Sequence, residues 1–183
     1  MVFTKEEAKE KIFELVKNYV NNKEKLKNDS ETDTRVKFID RMFEALGWDV
    51  FGDKISDEVQ REESVKTKES GKKKADYTFR INGISRFVIE AKALTHDIRK
   101  DYQYYQQAIQ YAQYKEKKFA ILTNFKYFIV LDAEIEKEPL KSEVAVIDIE
   151  NLKNGDFDIL WAFSKEVWQE KGENNEVLLK LKG

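Results

Sequence analysis

Lys74-Ala75-Asp76-Tyr77-Thr78-Phe79-Arg80-Ile81-Asn82-Gly83-Ile84-Ser85-Arg86-Phe87-Val88-Ile89-Glu90-Ala91-Lys92 reads as two strands around an Asn-Gly turn. Asn-Gly between β-branched and aromatic residues is a strong hairpin signal, because both residues accept the positive φ of a tight turn. The first strand is expected from Ala75 to about Ile81, the second from about Ile84 to Ala93. Phe87, Val88 and Ile89 mark the second as central and covered on both faces. Charges seldom enter such a strand without a partner or a metal. Yet Glu90 and Lys92 stand near its end, and Asp76 stands near the start of its neighbour.

Parity decides whether these three side chains can meet. Alternation puts Glu90 and Lys92 on one face. A two-residue Asn82-Gly83 loop with regular pairing sets Asp76 opposite Ile89, on the wrong face. A three-residue Ile81-Asn82-Gly83 loop sets it opposite Val88, on the face of Glu90 and roughly 7–8 Å from it. A bulge in either strand serves equally well. The pattern therefore predicts an irregularity in the hairpin. Two carboxylates and an ammonium at that spacing suit a divalent cation beside a phosphodiester; the competing reading of a Glu-x-Lys pair is a surface ion pair.

Outward from the hairpin, Lys5 to Asn21 carries Ile12, Phe13, Leu15, Val16, Tyr19 and Val20 at helical spacing. A polar connector follows to Ser30. A helix is expected from about Thr34 to Leu46, with Val36, Ile39, Met42, Phe43 and Leu46 buried, Asp33 as N-cap and Gly47 as stop. Trp48 to Phe51 reads as a short strand. Lys54 to Lys74 reads as a solvated charged loop, its end Gly71-Lys72-Lys73-Lys74 also suiting a basic edge beside a phosphate cleft. Leu94 to Asp97 leads into a long helix reaching about Lys117. Strands are expected over Phe119–Thr123, Tyr127–Asp132 and Val144–Ile149, and a final helix over Leu160–Trp168. This order predicts an α/β fold, a mixed sheet with helices on both faces. Trp48, Trp161 and Trp168 are expected as core or edge aromatics.

Composition removes several chemistries. The 183 residues include no cysteine and a single histidine, His96, which excludes thiolate sites and sites built on several imidazoles. No phosphate-binding glycine loop of the motor or dinucleotide type occurs. His96 is read as a turn residue before a proton shuttle. With no apolar leader and no apolar run of membrane-spanning length, a cytoplasmic protein without membrane contact is expected. Charged residues make up 37% but the net charge is only −2, so nucleic-acid contact must rest on local patches.

The motifs Lys74-Ala75-Asp76-Tyr77 and Val88-Ile89-Glu90-Ala91-Lys92-Ala93, with Gln107-Ala108-Ile109-Gln110-Tyr111-Ala112 after them, resemble the PD-(D/E)xK nuclease superfamily. More narrowly they resemble the N-terminal nuclease domain of type I restriction enzyme motor subunits and of related fused type II enzymes. Thr34-Arg35, Ile39-Asp40, Leu46-Gly47-Trp48 and Ile121-Leu122-Thr123-Asn124 are similar to further phrases of that family. Ala75 stands where the superfamily has proline, which is not a ligand.

The resemblance implies a restriction-endonuclease-like core over residues 31–183, extended by a C-terminal strand and helix, with residues 1–30 as N-terminal helix and connector. It implies a Mg²⁺-dependent endonuclease acting on DNA, with Mn²⁺ as substitute, and motor, methyltransferase and specificity components in the same or other chains. Asp76 and Glu90 would hold the cation, with the Ala91 carbonyl joining by analogy, and Lys92 would act on the attacking water. Gln107 and Tyr111, four apart on one helix face, would position DNA and catalytic groups; Gln110 and Tyr114 have the same spacing. The family's upstream acid is placed at Glu31, with Glu44 and Asp40 as competitors. A catalytically silent binding module, or a structure-specific nuclease such as a junction resolvase, stands as the alternative.

Overall fold

Positive φ at both Asn82 (52°) and Gly83 (74°) closes the central turn in two residues, with Ile81 facing Ile84. The three-residue loop is therefore not used. In the computed structural model, which describes residues 3–52, 54, 56–66, 72–135 and 137–183, the irregularity lies within the hairpin itself. The strands are β2 (Lys72–Ile81) and β3 (Ile84–Ala91). Arg80 pairs with Ser85 and Phe79 with Phe87, so Arg86 has no opposite residue and forms a bulge. That one extra residue restores parity. Tyr77 faces Ile89, and the next pair outward brings Asp76 level with Glu90.

The sheet has six strands among the described residues, in the order β1-β2-β3-β4-β5-β6. β4 (Phe119–Thr123) is parallel to β3, and β5 (Tyr127–Asp132) and β6 (Glu143–Asp148) continue antiparallel. The parallel step requires a crossover, supplied by α4 (Tyr102–Tyr114), whose N-cap Asp101 accepts from the Tyr104 N–H. β1 (Val59–Lys66) pairs antiparallel with β2. This corrects the reading of 54–74 as a loop: long charged side chains hide the strand's alternation. Of the basic stretch 71–74, Gly71 and the side chains of Lys72 and Lys73 lie outside the described residues.

Two cores sandwich the sheet. On one face, α4 supplies Tyr105, Ala108, Ile109 and Ala112 against Val88, Ala120, Leu122, Ile129 and Leu131. The other face carries the larger core, where Phe79 and Phe87 stack at 4.7 Å and 9°. It is covered by α1 (Lys5–Asn22), the helical region of residues 31–45 and three short C-terminal helices. Ala8, Ile12 and Tyr19 of α1 are buried there, whereas Phe13 and Val20 of the expected stripe are exposed. The expected final helix is split into α5 (Asp156–Trp161) and α6 (Lys165–Glu170), followed by α7 (Glu176–Leu181). Ser164 breaks the run by capping α6 with its own hydroxyl. Trp48 to Phe51 is a turn, not a strand: the Trp48 indole donates to the Phe163 carbonyl at 2.9 Å and anchors it to the larger core. All three tryptophans are buried. No described helix is long and apolar enough to cross a membrane.

The second helical region departs most from the periodicity. Ser30, not Asp33, is the N-cap of α2 (Glu31–Thr34); Asp33 closes a capping box onto the Ser30 N–H at 3.0 Å. Arg35–Ile39 then forms a π turn, with the Asp40 N–H reaching back to the Arg35 carbonyl, before α3 (Asp40–Ala45). A π turn adds one residue and slips the helix phase. Val36, expected in the core, is 48% exposed, and Arg35 is turned inward at 7%. Gly47 ends the helix as expected, at φ 92°. The Gly47 and Trp48 N–H groups satisfy the Glu44 and Phe43 carbonyls.

Candidate functional site

The bulged hairpin, the π turn and α4 converge on the end of β3. There Glu90 is 2% exposed. One of its oxygens accepts from Lys92 Nζ at 2.5 Å; the other is buried with no hydrogen-bond partner. An unpaired buried polar atom costs about 1–3 kcal/mol, and more when charged. Burial, then the Asp76 carboxylate, push the Glu90 pKa up to about 8, against the pull of Lys92. Asp76 is raised as well, chiefly by burial. Its Oδ2 accepts from the Ala91 N–H at 2.7 Å and its Oδ1 lies 3.6 Å from the Arg35 guanidinium. Burial works against the Lys92 ammonium, but Glu90 outweighs it and leaves its pKa raised. The ammonium also lies 4.8 Å from the centre of the Tyr104 ring.

Glu31, in the first turn of α2, joins this field. Its pKa is raised by burial and then by Asp76, with Lys92 and Arg35 opposing. The competing acids are engaged elsewhere. Glu44 pairs with Arg41 at 3.2 Å, and buried Asp40 accepts from the Tyr77 hydroxyl at 2.6 Å and from Arg61 at 2.8 Å. On α4, Gln107 donates to the Tyr111 hydroxyl at 2.9 Å. The Tyr111 pKa is raised mainly by burial, with Glu90 and Asp76 adding to the rise and Gln107 and Lys92 opposing it. His96 sits exposed in the turn after β3, its ring parallel to Tyr104 at 6.2 Å.

Among the described residues no three histidine, cysteine or acidic side chains gather closely enough to hold a metal alone. Mg²⁺ does not need that many: it keeps several waters and takes one or two carboxylates together with substrate phosphate. The unpaired Glu90 oxygen beside a second carboxylate fits such an ion. The Ala91 residue contributes its N–H to Asp76. Two contributors escaped the sequence reading. Tyr104 carries no motif, and Arg35, though part of the quoted Thr34-Arg35 phrase, reaches Asp76 only through a π turn that periodicity does not reveal.

Residues 58–139 match the family described as type I restriction enzyme R protein N terminus. This segment, 82 of the 183 residues, is similar to that family. It contains Asp76, Glu90, Lys92, Gln107 and Tyr111. The type II restriction enzyme and methyltransferase RM.Eco57I of Escherichia coli is 34% identical over 108 residues, covering 56% of this chain and 11% of that protein. A solved fragment assigned to an HsdR subunit of a type I restriction enzyme from Vibrio vulnificus YJ016 aligns with TM-score 0.46 and 19% identity, over 74% of this chain and 26% of that one. The chain thus spans a small part of the length of the relatives it matches.

Proposed function

We propose that this chain is a Mg²⁺-dependent endonuclease that hydrolyses DNA phosphodiester bonds as part of a restriction–modification system. The observation carrying this reading is the buried, unpartnered Glu90 oxygen beside Asp76 and Lys92. Similarity to restriction enzymes supports it. Asp76, Glu90 and the Ala91 carbonyl would hold the ion. When bound, it would polarise the scissile phosphate and make a coordinated water acidic at neutral pH.

The remaining work belongs to the chain. The Ala91 N–H fixes one Asp76 oxygen, and the other faces the Arg35 guanidinium. Lys92, protonated at neutral pH, offsets the negative charge that builds on the phosphate oxygens and orients the attacking water. Gln107 and Tyr111 cover the acids from α4 and position the backbone of the bound strand, and Glu31 adds a third acid at the rim. Motor, methyltransferase and specificity functions would come from other parts of the assembly.

The test is incubation with linear, circular and single-stranded DNA with and without Mg²⁺. Cleavage should require the ion and fall by about 10²–10³-fold or more in Asp76→Ala and Lys92→Ala. Variants that cleave like the wild type would refute the site. Tight DNA binding without cleavage in any divalent ion would identify a silent binding module instead.

A further inference from the structure

We infer that Arg35 is a positioning residue, holding Asp76 in the orientation that cation binding requires; this rests on the metal-dependent reading above. Arg35 is too buried to touch a ligand from solvent, so it acts through its neighbours. Its guanidinium grips Asp76 twice, donating to the main-chain carbonyl at 3.3 Å and facing carboxylate Oδ1 at 3.6 Å. The Ala91 N–H holds the other carboxylate oxygen. Asp76 is thus constrained from both sides, by a cation on one and by the neighbouring strand on the other.

The guanidinium is itself locked. Its Nε donates to the Tyr77 hydroxyl at 3.2 Å, and it lies 4.6 Å from the centre of the Tyr77 ring. That hydroxyl donates to Asp40, which Arg61 also holds. A lysine offers no planar fork and cannot reproduce this double grip. The adjacent Thr34 ties the same helical turn to the segment that follows β3, its hydroxyl accepting from the Leu94 N–H at 3.1 Å, two residues beyond Lys92. One turn of helix therefore sets the two acid-bearing strand ends relative to each other. Partners that orient a ligating carboxylate typically change metal affinity 10–100-fold when lost.

The experiment is Mn²⁺ titration calorimetry on the full chain, comparing wild type with Arg35→Gln, Arg35→Lys and Tyr77→Phe, each checked for a cooperative melt. Folded Arg35→Gln should bind Mn²⁺ about 10–100-fold more weakly. Arg35→Lys and Tyr77→Phe should fall between, with KM for DNA unchanged and kcat reduced. Equal or tighter Mn²⁺ binding in folded Arg35→Gln overturns the inference. If Arg35→Gln does not fold, undiminished binding in Tyr77→Phe overturns it. A wild type that takes no Mn²⁺ refutes the metal-dependent reading itself.

Discussion

At the scale of single residues, the site is defined by an acid in an unfavourable place. Glu90 occupies a central strand, with one oxygen against Lys92 and none for the other. The helix register offers an independent check. Gln107 holds the Tyr111 hydroxyl next to the acids, so Gln107→Ala should lower the DNA cleavage rate, whereas Gln110→Ala should leave it near wild type. The reverse ranking in a plasmid-nicking assay would move the functional helix face.

At the scale of elements, the hairpin turn depends on backbone conformation more than on contacts. A Cβ added at Gly83 would meet nothing within 4 Å, yet its φ of 74° is costly for a branched residue. Gly83→Val should therefore destabilise the protein by about 1–2 kcal/mol in urea unfolding. A second element-level device joins α4 to the sheet: Glu63 on β1 pairs with Lys115 at 2.8 Å and with Arg80. Burial raises the Glu63 pKa, but these cations outweigh it and hold it below the usual carboxylate range. A lowered folded-state pKa stabilises above the unfolded value and is lost as pH falls through the folded one. The stability advantage of wild type over Glu63→Gln should accordingly be full near pH 6 and shrink below about pH 4.5, as read from urea midpoints.

The elements also show what could be read in advance. β2, β3, β4 and β5 were legible because their apolar runs are interrupted by turn residues with definite φ requirements. The meeting of Asp76 with Glu90 is legible as a parity problem with a strand bulge among its solutions, though no residue type announces that the bulge falls at Arg86. β1 was not legible because Arg61, Glu62 and Glu63 suppress its alternation. Val36 was misplaced because periodicity assumes 3.6 residues per turn, and the π turn breaks that assumption. Asp33 is not the N-cap expected of it: Ser30 and Asp33 are reciprocal partners in a capping box, and only Ser30 stands outside the helix.

At the scale of the molecule, Glu31, Asp76, Glu90 and Tyr111 come from four separate elements, so cation binding should be linked to global stability. At a concentration 100 times its dissociation constant, a bound ion adds about 2.7 kcal/mol. For a chain of this size that corresponds to roughly 5–10 °C in melting temperature. Scanning fluorimetry with Mn²⁺ should show such a rise in wild type and none in Glu90→Ala; equal shifts in both would place the ion elsewhere.

β1 is the outermost strand among the described residues, which bears on how copies of the protein behave toward each other. A bare strand at the rim of a sheet is a template on which a foreign strand can grow, and many such strands are blunted by charge and by backbone irregularity. Here the rim carries Arg61, Glu62 and Glu63 in succession, and Glu62 sits at a positive φ of 50°. Dense charge and an irregular backbone of this kind make a strand a poor template for a foreign one.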